Sequence, residues 1–199
     1  QQAVTGQIDV RTGEPYPDYK DSGVEWLGQI PDEWDFMKVS RSFEIIGSGT
    51  TPASGNLDYY KGGTVPWVIT GDLNDGLLTT SSKHVTTLAL KQISTLKIYS
   101  PQTLLIAMYG ATIGKVSILG FEACTNQACC ALSGSEYFVI KYFFYWLLAN
   151  RKHIVSLSYG GGQPNISQET IKSLKVTCPP MNEQRIIAQY LDEQTKKIM

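Results

Sequence analysis

Two groups of residues in this chain have types suited to chemistry: a lysine beside two glycines, and a set of cysteines and histidines. The run GATIGKV at 110–116 resembles a phosphate-binding loop, but three residues separate its glycines where that loop has four. Valine follows Lys115, where the loop places the serine or threonine that binds magnesium. The run therefore does not predict a nucleotide site.

The cysteines Cys124, Cys129, Cys130 and Cys178 lack the C-x-x-C spacing of zinc ligands, and both histidines lie far from them in sequence. We expect reduced, mostly buried thiols, no metal and no cofactor. No nucleophile elbow or dinucleotide-binding motif occurs, and neither histidine has an acidic residue near it. We expect no catalysis by this chain, although a serine or thiol nucleophile stays open because catalytic partners meet in space and not in sequence.

Length and hydropathy limit the fold. The 199 residues are 42% hydrophobic and 18% charged, which suffices for one domain with a substantial core and an appended segment. The longest apolar stretch, residues 138–149, contains Lys141 and is much shorter than the roughly 20 residues that span a membrane. The N-terminus has no apolar run typical of a secretory signal. These features predict a cytoplasmic protein without a membrane contact.

The net charge of −1 conceals a division along the chain. Residues 1–36 carry two basic and eight acidic side chains, whereas residues 76–180 carry nine basic and three acidic ones. The basic middle favours recognition of an anionic partner. Lysines that merely solvate the surface explain the same distribution equally well.

Turns and apolar runs predict a mixed α/β fold, with a central β-sheet and flanking helices. Residues 1–21 are polar, rich in Gly and Pro and without periodicity, and are expected to form an extended arm. Ser167 is the expected N-cap of a short helix. Strands are predicted over residues 34–39, 65–70, 103–109, 113–119, 127–132 and 175–178, and helices over 86–96, 135–157 and 167–173.

A further amphipathic helix is predicted after Pro179 and Pro180, with Asn182 as its N-cap. Ile187, Tyr190 and Leu191 lie on its apolar stripe. A terminal helix with such a stripe is typical of coiled-coil assembly, and we expect these three residues to contact a partner. The alternative is that the stripe folds back on the domain.

Six strings follow one another along the chain: YPDYKDSGVEWLGQIPDEW (16–34), GTTP (49–52), VPWVITGDL (65–73), LLIAMYGATIGKVSI (104–118), TNQACCAL (125–132) and GGGQPNISQETIKSLKV (160–176). In this order they closely resemble the specificity subunit of type I restriction-modification enzymes. The closing CPPMNEQRIIAQYLDEQTKKI resembles the start of that family's spacer helix. The resemblance covers nearly the whole chain from Tyr16 onward.

The resemblance implies a target recognition domain over residues 22–178 that binds double-stranded DNA, with an arm at 1–21 before it and the start of a spacer helix at 179–199 after it. In the family, two such domains form one subunit, and antiparallel helices hold them apart so that a bipartite site is recognised. Methylation and ATP-driven cleavage belong to separate modification and restriction subunits, which are the implied protein partners. A homodimer formed through the end helices would supply the second recognition domain.

Two other classes of function stay open. The chain could be a fragment of a DNA methyltransferase or nuclease whose catalytic part lies elsewhere, in which case turnover would require that part. It could also be an interaction domain that uses its aromatic residues and binds no nucleic acid. Binding that does not respond to salt would favour this last class.

Polar loops between the apolar strands supply the expected DNA contacts. Tyr109 and Lys115 flank a glycine turn whose backbone amides can approach a phosphate; an ordinary hairpin with a solvated lysine is the alternative. Thr125, Asn126 and Gln127 form a polar tip whose amides can pair with adenine N6 and N7, or in which Asn126 only forms a turn.

The glycine-rich run at 159–167 adds Tyr159, Gln163, Asn165 and Ser167, and a capping role alone is the alternative for Ser167. Contacts to DNA phosphates are expected from basic side chains outside these loops, although each one by itself is more often solvated surface. These side chains are Lys61, Lys83, Lys91, Arg151, Lys152 and Lys172.

Overall fold

The computed structural model describes residues 1–158 and 164–197. These residues form a mixed α/β fold with several sheets and a C-terminal helix, which confirms the predicted fold class. The strands are β1 (Tyr19–Asp21), β2 (Gln29–Pro31), β3 (Asp35–Lys38), β4 (Ile45–Ser48), β5 (Val65–Val68), β6 (Leu77–Leu78), β7 (Lys83–Val85), β8 (Leu104–Ala107), β9 (Val116–Leu119), β10 (Cys124–Thr125), β11 (Cys129–Ser133) and β12 (Lys175–Cys178). The helices are α1 (Thr87–Gln92), α2 (Ile140–Ala149), α3 (Arg151–Ser156), α4 (Gln168–Ser173) and α5 (Met181–Lys196).

The largest sheet has five strands in the order β4-β11-β8-β9-β6. Its three central strands are buried on both faces, which explains why their sequences are mostly apolar, with the buried Ser117 as an exception in β9. Alternate residues enter different cores: Leu104 and Ile106 of β8 pack in one cluster, whereas Leu105 and Ala107 pack in another on the opposite face. Among the described strands of this sheet, β6 alone pairs in parallel, with β9.

Aromatic helix α2 covers one face of this sheet, burying Tyr142, Phe143 and Trp146. The single helix predicted over 135–157 is wrong, because the chain forms the separate helices α2 and α3. Asn150 lies between them, and its side-chain amide donates to the carbonyl oxygen of Trp146 at 2.9 Å. Asparagine interrupts helices in this way because its side chain competes for backbone partners.

A smaller lobe is built on the three-stranded sheet β10-β5-β7 and helix α1. Trp67, Val85 and Ala89 pack together in its core. The side chain of Thr86 caps α1 by accepting from the amide of Ala89 at 3.3 Å. Strand β10 leads through residues 126–128 into β11, so this short segment joins the smaller lobe to the five-stranded sheet.

Both ends of the chain pack on the larger core. Residues 1–21 have regular structure only at β1, yet Ala3 and Val4 are buried in the main cluster, so this segment is not an extended free arm. Strand β12 has the predicted bounds and pairs antiparallel with β3. Helix α5 begins at Met181 with Pro180 as its N-cap residue and no side-chain cap, so the predicted capping role of Asn182 is wrong.

Within the described residues, no helix is long and apolar enough to cross a bilayer.

Candidate nucleic-acid interface

Three loops from distant parts of the chain meet at one end of the five-stranded sheet. Strands β4 and β8 end there, and β9 and β11 begin there. The register shows this, because Cys130 of β11 pairs with Ser48 of β4 and with Ile106 of β8, and Ile106 pairs with Val116 of β9. A fourth segment joins them through an antiparallel bridge between Tyr109 and Asn165. We call this surface, formed by residues 49–52, 108–115, 126–128 and 164–167, the loop end.

The loop between β8 and β9, residues 108–115, closes an antiparallel hairpin. Gly110 and Gly114 both adopt positive φ values, 81° and 77°. The amides of Ile113 and Lys115 donate to carbonyl groups within the turn, at 3.1 and 2.9 Å. These two amides are therefore not free for a phosphate, and the hairpin alternative describes the backbone. The half-buried Lys115 makes no ion pair with a described residue.

Thr125 is fully buried, so the expectation that it contacts DNA is wrong. It lies in β10 beside Val68, and its carbonyl oxygen accepts from the amide of Thr50 at 3.0 Å. Gly49 packs so closely on it that a Cβ atom at Gly49 would lie 1.7 Å from that oxygen. Thr125 was expected at a polar tip because the pairing of β10 with β5 has no local signal in the sequence.

Asn126 forms a turn, as the alternative for this residue proposed. Its side-chain oxygen accepts from the amide of Ala128 at 3.2 Å, and its carbonyl accepts from Cys129 at 3.3 Å. Gln127 is exposed at the tip of the turn, and its Oε1 accepts a hydrogen bond from the hydroxyl of Thr51. The turn therefore holds the backbone of Gln127 in place while its side chain faces solvent.

Thr51 is a candidate contact that was not predicted from the sequence. Its neighbours are held on both sides: Trp67 Nε1 donates to the carbonyl of Thr50 at 3.2 Å, and the Tyr60 hydroxyl donates to the carbonyl of Pro52. The exposed Thr51 side chain is thus held beside Gln127. The GTTP string was a visible signal, but only the pairing of β4 with β11 brings it to residue 127.

The fourth segment contributes Asn165 and Ser167, both of which are exposed. Ser167 Oγ accepts from the amide of Thr170 at 2.9 Å, so Ser167 caps α4 as predicted. Tyr159 and Gln163 lie outside the described residues. Among the amide side chains proposed as base contacts, Asn126 is occupied in its turn, and Gln127 and Asn165 are exposed at the loop end.

The basic candidates divide into paired and unpaired side chains. Lys172 forms an ion pair with Glu169 at 2.8 Å, and Arg151 forms one with Asp75. Lys83 Nζ lies 6.0 Å from the centre of the Trp67 ring, at a cavity of about 370 Å³ that Thr51 also lines. The exposed candidates, none of which forms an ion pair with a described residue, are Lys61, Lys83, Lys91 and Lys152.

The apolar stripe of α5 folds back on the domain as far as Leu191. Ile187 is completely buried in the main core, so the expectation that it contacts a partner is wrong. Leu191 is partly buried against the same core, and Tyr190 is half-buried. The hydroxyl of Tyr145 in α2 donates to Asp192 at 2.7 Å, which ties the fourth turn of α5 to the domain.

The cysteine thiols have raised pKa values, as expected of buried groups. Burial raises the pKa of Cys124 and Cys130 to about 12 and that of Cys178 to about 11. A thiol nucleophile needs a lowered pKa, so these three remain protonated and unreactive near neutral pH. Within the described residues, no cluster of three His, Cys, Asp or Glu side chains could hold a metal ion.

Comparisons with known proteins all indicate the same family. The family model described as type I restriction modification DNA specificity domain matches residues 31–199. The chain is 28% identical over 170 residues to the type I restriction enzyme MjaIX specificity subunit of Methanocaldococcus jannaschii, covering 83% of this chain and 38% of that protein. It is 25% identical over 182 residues to the EcoR124I/EcoR124II specificity subunit of Escherichia coli, covering 88% and 42%.

Solved structures have a similar fold. The HsdS subunit from Thermoanaerobacter tengcongensis has a TM-score of 0.64 at 18% identity, covering 90% of this chain and 40% of that one. A chain from a structure that describes complex assembly and conformational transition of the type I R-M system has a TM-score of 0.67 at 19% identity, covering 85% and 40%. The chain thus spans about two fifths of the length of these relatives.

Proposed function

This chain belongs to the family of type I restriction modification DNA specificity domains, and from that premise we propose that it binds one part of a bipartite target in double-stranded DNA. The observation that carries this proposal is the meeting of polar loops at the loop end. Residues 49–52, 126–128 and 164–167 come from distant parts of the chain and present exposed amide and hydroxyl groups together. A rigid sheet that carries such groups suits recognition of base edges.

Gln127 and Asn165 are the proposed base-contacting residues. Amide side chains can both donate to and accept from base edges in the major groove. The hydrogen bond from Thr51 limits the rotamers of Gln127 before DNA arrives, which lowers the entropic cost of the contact. Because ion pairs occupy Lys172 and Arg151, we assign the phosphate contacts first to Lys115 and Lys83.

The proposed role is recognition without catalysis. We infer that methylation and cleavage are carried out by separate modification and restriction subunits, and that this chain needs no cofactor of its own. The raised pKa values of Cys124 and Cys130 support this inference, because a protonated thiol is a poor nucleophile. Incubation with labelled S-adenosylmethionine, or with Mg²⁺, and DNA should give no turnover by this chain alone.

Assembly is the second part of the proposal. We infer that the modification subunits bind the exposed side of α5 around Tyr190, that the restriction subunit joins through the resulting complex, and that the complex works in the cytoplasm. A homodimer through the end helices is a further way to present two recognition surfaces. Tyr190 is half-exposed, which supports its place on this binding surface, whereas Ile187 is buried and lies outside it.

Selection from a randomised pool of duplex DNA tests the proposal. The chain is used at moderate salt, purified together with its modification subunit if the two associate. Enrichment of one short asymmetric motif would support a single recognition domain, and an inverted repeat of that motif would add dimerisation. Salt-sensitive binding without enrichment would mean that another part supplies the specificity. A complete lack of binding would favour an interaction domain and overturn the proposal.

A further inference from the structure

The first residues of the chain are bound to the segment that leads into helix α5. The carbonyl oxygen of Val4 accepts from Thr177 Oγ1 at 2.9 Å and from the Tyr142 hydroxyl at 3.3 Å. All three residues are buried, and Thr177 lies in β12, four residues before α5 begins. The Tyr142 hydroxyl also lies 2.9 Å from Thr177 Oγ1, so the Val4 carbonyl belongs to a buried hydrogen-bonded group and is satisfied by Thr177.

A second attachment reaches the first turn of α5 itself. The Tyr16 hydroxyl donates to Oε1 of Glu183, a carboxylate that is only 7% exposed. Arg11, which pairs with Asp9 at 2.7 Å, places its guanidinium 3.7 Å from the same oxygen. Burial and the carboxylate raise the pKa of Tyr16, so its hydroxyl remains a donor throughout the ordinary pH range.

Hydrogen bonds within the N-terminal segment keep it ordered, and its packing on Trp34 fixes it to the domain. The Tyr19 hydroxyl donates to the carbonyl of Gly6 at 2.9 Å and accepts from the amide of Tyr16 at 3.1 Å. The rings of Tyr16 and Trp34 meet edge to face at 5.6 Å, and Trp34 is completely buried. We call residues 1–19 the strap.

Helix α5 is therefore held on two sides. Helix α2 and the residues before it hold one side, where Gln184 accepts from the amide of Val139 at 2.9 Å and donates to the carbonyl of Tyr137 at 2.8 Å. The strap holds the other side through Glu183. Glu183 and Gln184 are adjacent in the first turn, so the two sides are held together at the base of the helix, while Tyr145 and Lys141 of α2 hold Asp192 farther along the same helix.

We propose that the strap fixes the angle at which α5 leaves the domain, and that Tyr16 and Glu183 are its positioning residues. The consequence for DNA rests on the proposed function, in which the helix sets the distance to a second recognition surface. A helix of 16 residues is about 24 Å long, and a tilt of about 10° at its base moves its far end by about 4 Å. That displacement exceeds the separation of about 3.4 Å between neighbouring base pairs.

Hydrogen exchange of the whole chain tests the hold on the helix. Tyr16→Phe leaves the buried carboxylate without its hydroxyl donor, so exchange of the amides of residues 183–188 should become about tenfold faster. Exchange in β8 and β11 should stay unchanged. Glu183→Gln keeps an acceptor for Tyr16 and should restore most of the protection that Glu183→Leu loses. Tyr59→Phe removes a hydroxyl that bonds Gln92 far from α5, and it should change nothing in the helix.

Two results in this experiment would overturn the proposed role of the strap. One is exchange of residues 183–188 in Tyr16→Phe within twofold of wild type. The other is an equal acceleration in β8 and β11, because the substitution would then only lower the stability of the whole domain. Neither result bears on DNA binding, so the strap and the proposed function can fail separately.

DNA selection with the complete complex tests the consequence for DNA. Tyr16→Phe should enrich the same bases as wild type but accept half-sites that are one base pair nearer or farther apart. An unchanged single spacing, with faster exchange in α5, would refute the link between the strap and half-site distance. A wild-type complex that enriches no bipartite motif would instead overturn the proposed function, and the exchange results would still decide whether the strap holds α5.

Discussion

Replacing Gly49 with alanine should disrupt the packing of the loop end more than adding a methyl group at any other position there. A Cβ atom at this position would lie 1.7 Å from the carbonyl oxygen of Thr125 and 2.4 Å from its carbonyl carbon. Both neighbours are backbone atoms, so no side-chain rotation relieves the overlap. The two segments must separate by more than 1 Å, which breaks the hydrogen bond of 3.0 Å from the Thr50 amide to Thr125.

The cost follows from these two effects. A lost backbone hydrogen bond costs about 1 kcal/mol, and forced separation of packed segments costs about 1–3 kcal/mol. We therefore expect Gly49→Ala to lower the free energy of unfolding by about 2–4 kcal/mol, a large part of the roughly 5–15 kcal/mol of a typical domain. Because Thr51 moves with the segment, the variant should also lose discrimination between DNA sequences at temperatures where it is folded.

Urea unfolding followed by tryptophan fluorescence measures the first effect, and competition between selected and scrambled duplexes measures the second. Gly55→Ala is the matched control, since Gly55 lies in the same turn region without a positive φ, and an added methyl group would meet no neighbouring atom within 4 Å. It should leave stability unchanged or raise it by about 0.4–1 kcal/mol. Equal stability of the Gly49 and Gly55 variants would refute the close-packing argument.

Three further predictions concern recognition and core chemistry. Gln127→Ala should change base preference at one position of the selected motif, and weaker binding with an unchanged motif would remove Gln127 from base recognition. Lys115→Ala should weaken binding to all sequences and lower the slope of log affinity against log salt by about one, whereas Lys172→Ala, which loses a paired lysine, should lower it less. The unfolding free energy should fall as pH rises from about 9 to 12, because burial raises the pKa of Cys124 and Cys130 from 9.0 to about 12 and the unfolded chain then releases protons first. A stability that stays level over this pH range, measured by urea unfolding, would contradict the burial of these thiols.

Several elements were predictable because their signals are local. The cap at Ser167 and the bounds of β12 depend on residues a few positions apart, and the structure has them as predicted. The three central strands also form, although β9 begins at Val116 and not at the predicted residue 113. The long helix over 135–157 was wrong because Asn150 interrupts it through its side chain, which apolar periodicity does not register. The ordered strings indicated the family, since their order along the chain is itself a property of the sequence.

The amino-acid sequence by itself determined the types of element, the polar loops between them and the resemblance to the family. Only the tertiary structure decided which of those loops meet. Thr51 and Gln127 are 76 positions apart, and Tyr16 and Glu183 are 167 apart. Thr125 was assigned to the surface by its polarity, but the pairing of β10 with β5 buries it. Caps and periodicity act over a few residues, whereas such contacts depend on the register between distant strands, which the packing of the whole core selects.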